Sequence, residues 1–216
     1  MSESEKKSVI KTLVPVNSSS KYTSNITSNH FMFNEMRVTA SLMVNYSNEA
    51  DIINMIVKDN LYQLPSEKKL RSRAIVCLKR LKLLNSSELI EAIANKSISI
   101  AKQICLYAMM RSDRIVWEFM VLTIGSKVKI RDYSFSKSCI NAFLFNLQSQ
   151  NEVVAKWSPK TIHRIGEVLG RILIENGYIE NSMSDKLTPP IVDPLLAKVI
   201  KLNGDNLALS IFENLG

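Results

Sequence analysis

Hydrophobic positions recur at helical spacing along most of the chain. Between Ser66 and Leu84, the residues Leu70, Ala74, Cys77, Leu78, Leu81 and Leu84 fall on one stripe of a helix. Lys68, Lys69, Arg73, Lys79 and Arg80 fall on the opposite side, with Arg71 and Lys82 on one flank. A helix that needs only to be soluble mixes Lys with Glu four residues apart, which stabilises by about 0.2–0.5 kcal/mol per pair. Here only Glu67 is in reach. Like charges on one face repel, so the pattern implies a neutralising anion, and a phosphate backbone is the common one.

The same spacing predicts a buried helix within Phe31–Tyr46 and another over Glu49–Asp59, capped by Asn48 or Ser47. Pro65 breaks the chain and Ser66 caps the basic helix. A short helix runs from Ser86 or Ser87 to Ala94, and a long apolar one from Ser97 or Ser99 to about Val121. Ile124–Tyr133, which contains Gly125, gives no clear assignment. Phe135–Gln150 reads as another apolar helix. Ser158-Pro159 is a start signal for a helix to about Asn176, closed by Gly177 in a left-handed cap. Its stripe is Ile162, Ile165, Val168, Leu169, Ile172 and Leu173; its wet face is Lys160, His163, Arg164, Glu167 and Arg171. Gly166 and Gly170 suit close packing against a neighbour. Helix, short helix, turn, capped helix and a short extended piece at Tyr178–Glu180 is an order compatible with a helix-turn-helix, winged or not. Many plain helical bundles contain the same run.

The expected class is therefore mainly α, in compact multi-helix domains. The expected division is a flexible arm over 1–20 with a pairing segment at Val9–Val16, an N-terminal helical unit over 21–95 carrying the basic helix, and a C-terminal unit over 96–216 with the helix-turn-helix-like segment at 136–180.

Composition narrows the function. With six Gly, six Pro and 46% apolar residues in 216, the chain suits neither disorder nor a turn-rich β-sandwich. It has no apolar run of membrane-spanning length, and MSESEKKSVIK lacks the core of a secretory signal, so a cytoplasmic protein without membrane contact is expected. Cys77, Cys105 and Cys139 sit among apolar residues and read as reduced core thiols. His30 and His163 have no ligand-spaced partner, so no metal is expected. The glycines form no phosphate loop and no GxSxG elbow occurs. No enzyme activity, cofactor or small-molecule substrate is expected.

The net charge of +8 is uneven. Residues 58–83 hold eight Lys/Arg against Asp59 and Glu67, 102–137 hold seven against three, and 156–171 hold four against Glu167, whereas the chain from Ile172 onward is acidic. Arg111 and Arg114, with Lys102, either extend the basic surface or are held by Asp113 and Glu118. A basic body suits a polyanion partner. The candidate contacts are Lys68, Lys69, Arg71, Arg73, Lys79, Arg80, Arg111, Arg114, Lys160, His163, Arg164 and Arg171.

The chain also resembles the BrxA family of BREX phage-defence loci. Tyr22-Thr23 followed by Phe33-Asn34-Glu35-Met36-Arg37 looks like the family's opening, and Arg71–Leu84 like its basic helix. Ala155-Lys156-Trp157-Ser158 with Ile162–Tyr178 is the most specific match, and Leu187-Thr188-Pro189-Pro190-Ile191 looks like the tail. Ser28-Asn29-His30 departs from the family's small residues. The resemblance implies a helical protein with likeness to the antitermination factor NusB and to helix-turn-helix modules. It also implies a non-enzymatic part in phage restriction and binding of nucleic acid, with double-stranded DNA the expected partner. The rival reading is an adaptor that docks other BREX proteins, with Cys139–Leu147 and the Pro189-Pro190 tail as contact sites. An RNA-binding, NusB-like variant stays open, since charge does not distinguish the two nucleic acids.

Overall fold

The computed structural model describes residues 21–213; the arm and the Val9–Val16 segment lie outside them. The chain divides into two compact units, Phe31–Ser112 and Asp113–Gly216 with Met1–His30. Among the described residues the regular structure is helical, with isolated bridges Ser134–Lys186 and Ile191–Glu213 and no sheet.

The unit Phe31–Ser112 is built from α1 (Phe33–Asn45), α2 (Glu49–Lys58), α3 (Glu67–Lys82), α4 (Ser87–Asn95) and α5 (Ile98–Ser112). Side-chain caps explain two starts. The Asn48 side chain accepts from the Ala50 N–H at 2.9 Å, and Ser86 Oγ accepts from the Leu89 N–H at 3.2 Å. Helix α5 is buried on nearly every side, with Ala101 and all residues from Gln103 to Arg111 inside. A helix apolar all round must be wrapped by others, and α1, α3 and α4 pack on it. The basic helix α3 buries all six residues of its predicted stripe. Three residues of that stripe, Leu70, Ala74 and Leu78, meet Ile52 and Ile56 of α2 in one cluster.

The expected boundary near residue 95 is therefore displaced. Helix α5 belongs with the helices before it, because they cover its surface. The long helix expected to reach Val121 stops at Ser112. Asp113 is extended (φ −136°, ψ 116°), and its carboxylate accepts from the Ile115 and Val116 N–H groups at 3.0 and 3.3 Å, which starts a new helix.

The other unit contains the 3₁₀ turn Asn25–Thr27, α6 (Arg114–Glu118), a π-helical stretch Phe119–Gly125, α7 (Ser126–Lys129), α8 (Lys137–Gln150), α9 (Glu152–Ala155), α10 (Pro159–Glu175), α11 (Pro194–Leu202) and a 3₁₀ turn Asn206–Ile211. The π stretch and α7 are what the unassigned region around Gly125 becomes. Gly125 lies against the last 3₁₀ turn, where a Cβ would meet Ser210 Oγ at 2.2 Å and Ser210 Cβ at 3.1 Å. Overpacking of this kind costs about 1–3 kcal/mol. Gly125→Ala is expected to lower stability by that amount in urea unfolding. Ser210→Gly in the same chain is expected to recover most of the loss.

Ser158 Oγ accepts from the Thr161 N–H at 3.2 Å, Pro159 opens α10, and Gly177 takes φ +75° after its end. A Cβ on Gly166 would stand 3.3 Å from Leu144 and 3.6 Å from Ile140, so the small residue lets α8 and α10 approach. This accounts for the burial of Ile140 and Leu144, while Phe143 is buried edge-on against Phe119 of the π-helical stretch, ring centroids 5.3 Å apart. Within Cys139–Leu147, Asn141, Ala142, Phe145 and Asn146 are exposed, whereas Ile140, Phe143, Leu144 and Leu147 are core. Pro189 is buried as well. No two-stranded wing follows α10 among the described residues. Leu187 N–H donates to Tyr133 C=O at 2.7 Å and Phe135 N–H to Asp185 C=O at 2.8 Å, which ties this stretch down by single bridges.

Two of the three cysteines meet the core-thiol expectation. Burial pushes the Cys77 thiol up to about 12 and the Cys105 thiol higher still. Cys139 departs from it, being partly exposed beside a groove that also meets Asn146 and Gln150. One thiol per chain is expected to react with a thiol reagent near neutral pH in the native state, and three after unfolding. Cys139→Ser is expected to remove the native-state reaction. Among the described residues, no helix is long and apolar enough to cross a membrane, and no group of His, Cys, Asp or Glu is placed to hold a metal ion.

Candidate nucleic-acid interface

Two helices, α3 in one unit and α10 in the other, carry ten of the twelve sequence-predicted contacts; Arg111 and Arg114 lie on α5 and α6. On α3 the structure leaves Lys68, Lys69, Arg71 and Lys79 exposed, with no ion pair to any described residue. Glu67 stands in the first turn, where its charge favours the helix dipole. Ser66 is at the cap position in extended backbone, but its side chain makes no cap bond; its carbonyl accepts from the Leu70 N–H at 3.0 Å.

The rest of the α3 set is not free. Arg73 is hydrogen-bonded and ion-paired to Glu35 of α1. Lys82 Nζ donates to Glu49 Oε1 at 2.6 Å. Arg80, placed by periodicity on the wet side, is only 3% exposed, and its guanidinium donates to the Phe31 carbonyl at 3.3 Å. The reason is that, at 100° per residue, Arg80 lies about 60° from Cys77, beside the buried stripe rather than opposite it, and the packing that covers the stripe covers Arg80 as well. The neutralising anion that the charge pattern demands is thus supplied in part by Glu35 and Glu49 from within the unit.

A second correction concerns Arg111 and Arg114. Arg111 is 1% exposed on α5, its guanidinium 5.7 Å from the Tyr107 ring centroid and its Nη1 donating to Tyr107 Oη at 3.5 Å. Arg114 Nε donates to Glu118 Oε1 at 2.8 Å, and its guanidinium stacks 4.0 Å from the centroid of Tyr22. Tyr22 Oη donates in turn to both Glu118 oxygens, at 2.9 and 2.8 Å. Burial first, and then the Glu118 charge, hold the Tyr22 phenol well above its ordinary range. Cation, carboxylate and phenol are joined in one set that ties the start of the described chain to α6. Glu118 at i+4 was the sequence signal for it; Asp113, the other candidate partner, is committed to its cap.

On α10 the expected wet face is exposed: Lys160, His163, Arg164, Glu167 and Arg171 all face out. His163 Nδ1 lies 3.9 Å from Glu167 Oε2. These side chains form one wall of a hollow of about 270 Å³, and Thr27 and His30 form the other. The Asn25–Thr27 turn packs on α10, which brings His30 there. Sequence reading missed Thr27 and His30, because nothing local connects residue 30 with residue 163. The structure therefore brings Lys160, His163, Arg164 and Arg171 together and sets Lys68, Lys69, Arg71 and Lys79 on one helix. It ties Arg73 and Arg114 to carboxylates of the chain and buries Arg80 and Arg111.

Comparison with known proteins places this arrangement. The family model BrxA matches residues 20–204. A relative called "BREX protein BrxA" from Bacillus cereus (strain H3081.97) is 29% identical over 191 residues, covering 88% of this chain and 95% of the relative. A second protein of that name, from Paramagnetospirillum magneticum (strain ATCC 700264 / AMB-1), is 20% identical over 167 residues, 77% of this chain and 83% of its own. The crystal structure of an uncharacterized protein from Magnetospirillum magneticum superposes with a TM-score of 0.72 at 18% identity, over 89% of this chain and 99% of the other, so the two share the fold. With the family model spanning the basic helix, the π-helical stretch and α10 alike, this chain belongs to the BrxA family.

Proposed function

We propose that the protein is a non-enzymatic component of a BREX phage-defence system that binds double-stranded DNA without reading its sequence. The family and the relatives' names support the BREX assignment. One observation supports the DNA reading. After Glu35 and Glu49 have taken Arg73 and Lys82, α3 still presents Lys68, Lys69, Arg71 and Lys79 to solvent with no described carboxylate against them. Lys160, Arg164 and Arg171 add a second set in the other unit. Such cations act by neutralising phosphates and releasing counterions, a mechanism that needs no base contact.

The test is fluorescence anisotropy with a random duplex of about 30 base pairs, with single-stranded DNA and RNA as competitors. With several phosphates contacted, affinity is expected to fall on the order of a thousandfold between about 50 and 200 mM salt. Binding that is flat with salt, or that RNA displaces more readily than duplex, sinks the proposal.

An adaptor reading has one observation of its own. Between α2 and α3 runs a groove of about 320 Å³ floored by Ile53, Ile75 and Leu78 and rimmed by Lys79 and by the Lys82–Glu49 ion pair, which leaves Lys79 as its uncompensated charge. Ile75 is half exposed there. An acidic amphipathic helix of another BREX protein fits this chemistry. Nuclease treatment of a cell pull-down separates the two readings: partners held through DNA are lost, and partners held in the groove remain.

A further inference from the structure

The chain has two histidines, and both line the same hollow of the unit formed by Asp113–Gly216 with Met1–His30. The hollow is walled on two sides, by α10 and by Thr27 and His30, and its cations are open to solvent. A phosphate that projects from a strand end or belongs to a small molecule can reach between the two walls, where these cations can meet it.

The charges favour a doubly charged guest. Lys160, Arg164 and Arg171 stand against the single carboxylate of Glu167, which has His163 Nδ1 at 3.9 Å. A phosphate monoester carries about −1.5 to −2 at pH 7, against −1 for a diester inside a strand. The donors are also of the right kind. Two guanidiniums can each present two parallel N–H groups to phosphate oxygens, and the His163 imidazole and the Lys160 ammonium add further N–H groups. Thr27 Oγ1 gives its proton to the Ser24 carbonyl at 2.8 Å, so it shapes the wall and does not donate to the guest.

We infer that this hollow binds a phosphate monoester, at the 5′ end of a nucleic-acid strand or on a mononucleotide. The first source rests on the DNA reading above; the second does not.

The test uses the full chain and two readouts. Both histidine C2–H proton signals report on the hollow, because no other histidine exists. Thymidine 5′-monophosphate is expected to shift both signals with saturation at one equivalent, and dimethyl phosphate, a diester, is expected to leave them in place. In anisotropy, a 5′-phosphorylated duplex is expected to bind about tenfold tighter than its 5′-hydroxyl counterpart, the scale of one charge-assisted contact set. Arg164→Gln, a change at an exposed position, is expected to abolish the signal shifts and the tenfold preference while the melting temperature stays unchanged. A response to the mononucleotide with equal affinity for the two duplexes supports the pocket with the free nucleotide as its guest. Equal responses to monoester and diester, or no response to either with no preference for a phosphorylated end, overturn it. Salt-sensitive duplex binding would survive that second result, so failure of the pocket and failure of the DNA reading are told apart.

Discussion

Replacing Lys68, Lys69 and Arg71 together with glutamate is expected to weaken duplex binding on the order of a hundredfold, about 2.7 kcal/mol, with little change in stability. All three side chains are exposed and outside every described ion pair, so the folded state loses no contact. Surface changes of this kind normally stay within about 0.5 kcal/mol. The variant removes three positive charges and adds three negative ones where phosphates would lie, so the slope of log affinity against log salt is expected to flatten by about 3 as well. Arg73 is deliberately left in place. Glutamate there would face Glu35, and a folding defect would imitate a binding defect. Anisotropy at several salt concentrations, with circular dichroism melts of the same samples, checks the prediction. Unchanged affinity at unchanged fold would remove α3 from the interface.

The second large effect is the opposite: lost stability from a residue that looks like a surface cation. Arg80→Glu is expected to cost about 3–5 kcal/mol, enough to unfold much of a protein whose whole stability is on the order of 5–15 kcal/mol. The Arg80 side chain is enclosed, and it donates to the Phe31 carbonyl at 3.3 Å. A carboxylate in its place repels that carbonyl and has to lose its hydration. Arg80→Met, which keeps most of the stem, is expected to cost about 1–3 kcal/mol through the lost donor. Lys79→Glu, one residue earlier and exposed, is expected to leave urea unfolding unchanged and to weaken DNA binding. The neighbouring pair is a sharp test, because turning α3 by one residue would exchange the two outcomes.

Much of the framework was legible locally. The α3 stripe from Leu70 to Leu84 is buried as its spacing predicts, since one side of a helix must be covered for the helix to persist. Asn48, Ser86 and Ser158 cap the helices their positions announce, because a cap is a bond between residues two or three apart. The candidate site was legible in half. On α10 the wet face is solvent-facing as read, because α8 and the Asn25–Thr27 turn leave that side open. On α3 and α5 the same logic misplaced Arg80 and Arg111, whose long stems make burial compatible with an apolar interior once the head group has a partner. The break at Asp113 was also missed. Uninterrupted apolar content hid a single Asx cap, and that cap moves the boundary between the units to Ser112.

The amino-acid sequence by itself determined the helical class, most helix starts, the charge imbalance and the family. Each of these is a property of composition or of residues a few positions apart. The tertiary structure alone decided which cations stay exposed and which are taken up within the protein. Glu35 reaches Arg73 from 38 positions away, Phe31 reaches Arg80 from 49, and the Asn25–Thr27 turn brings His30 to His163. Charge neutralisation acts through space over a few ångströms, and only the packing of helices sets which residues lie that close.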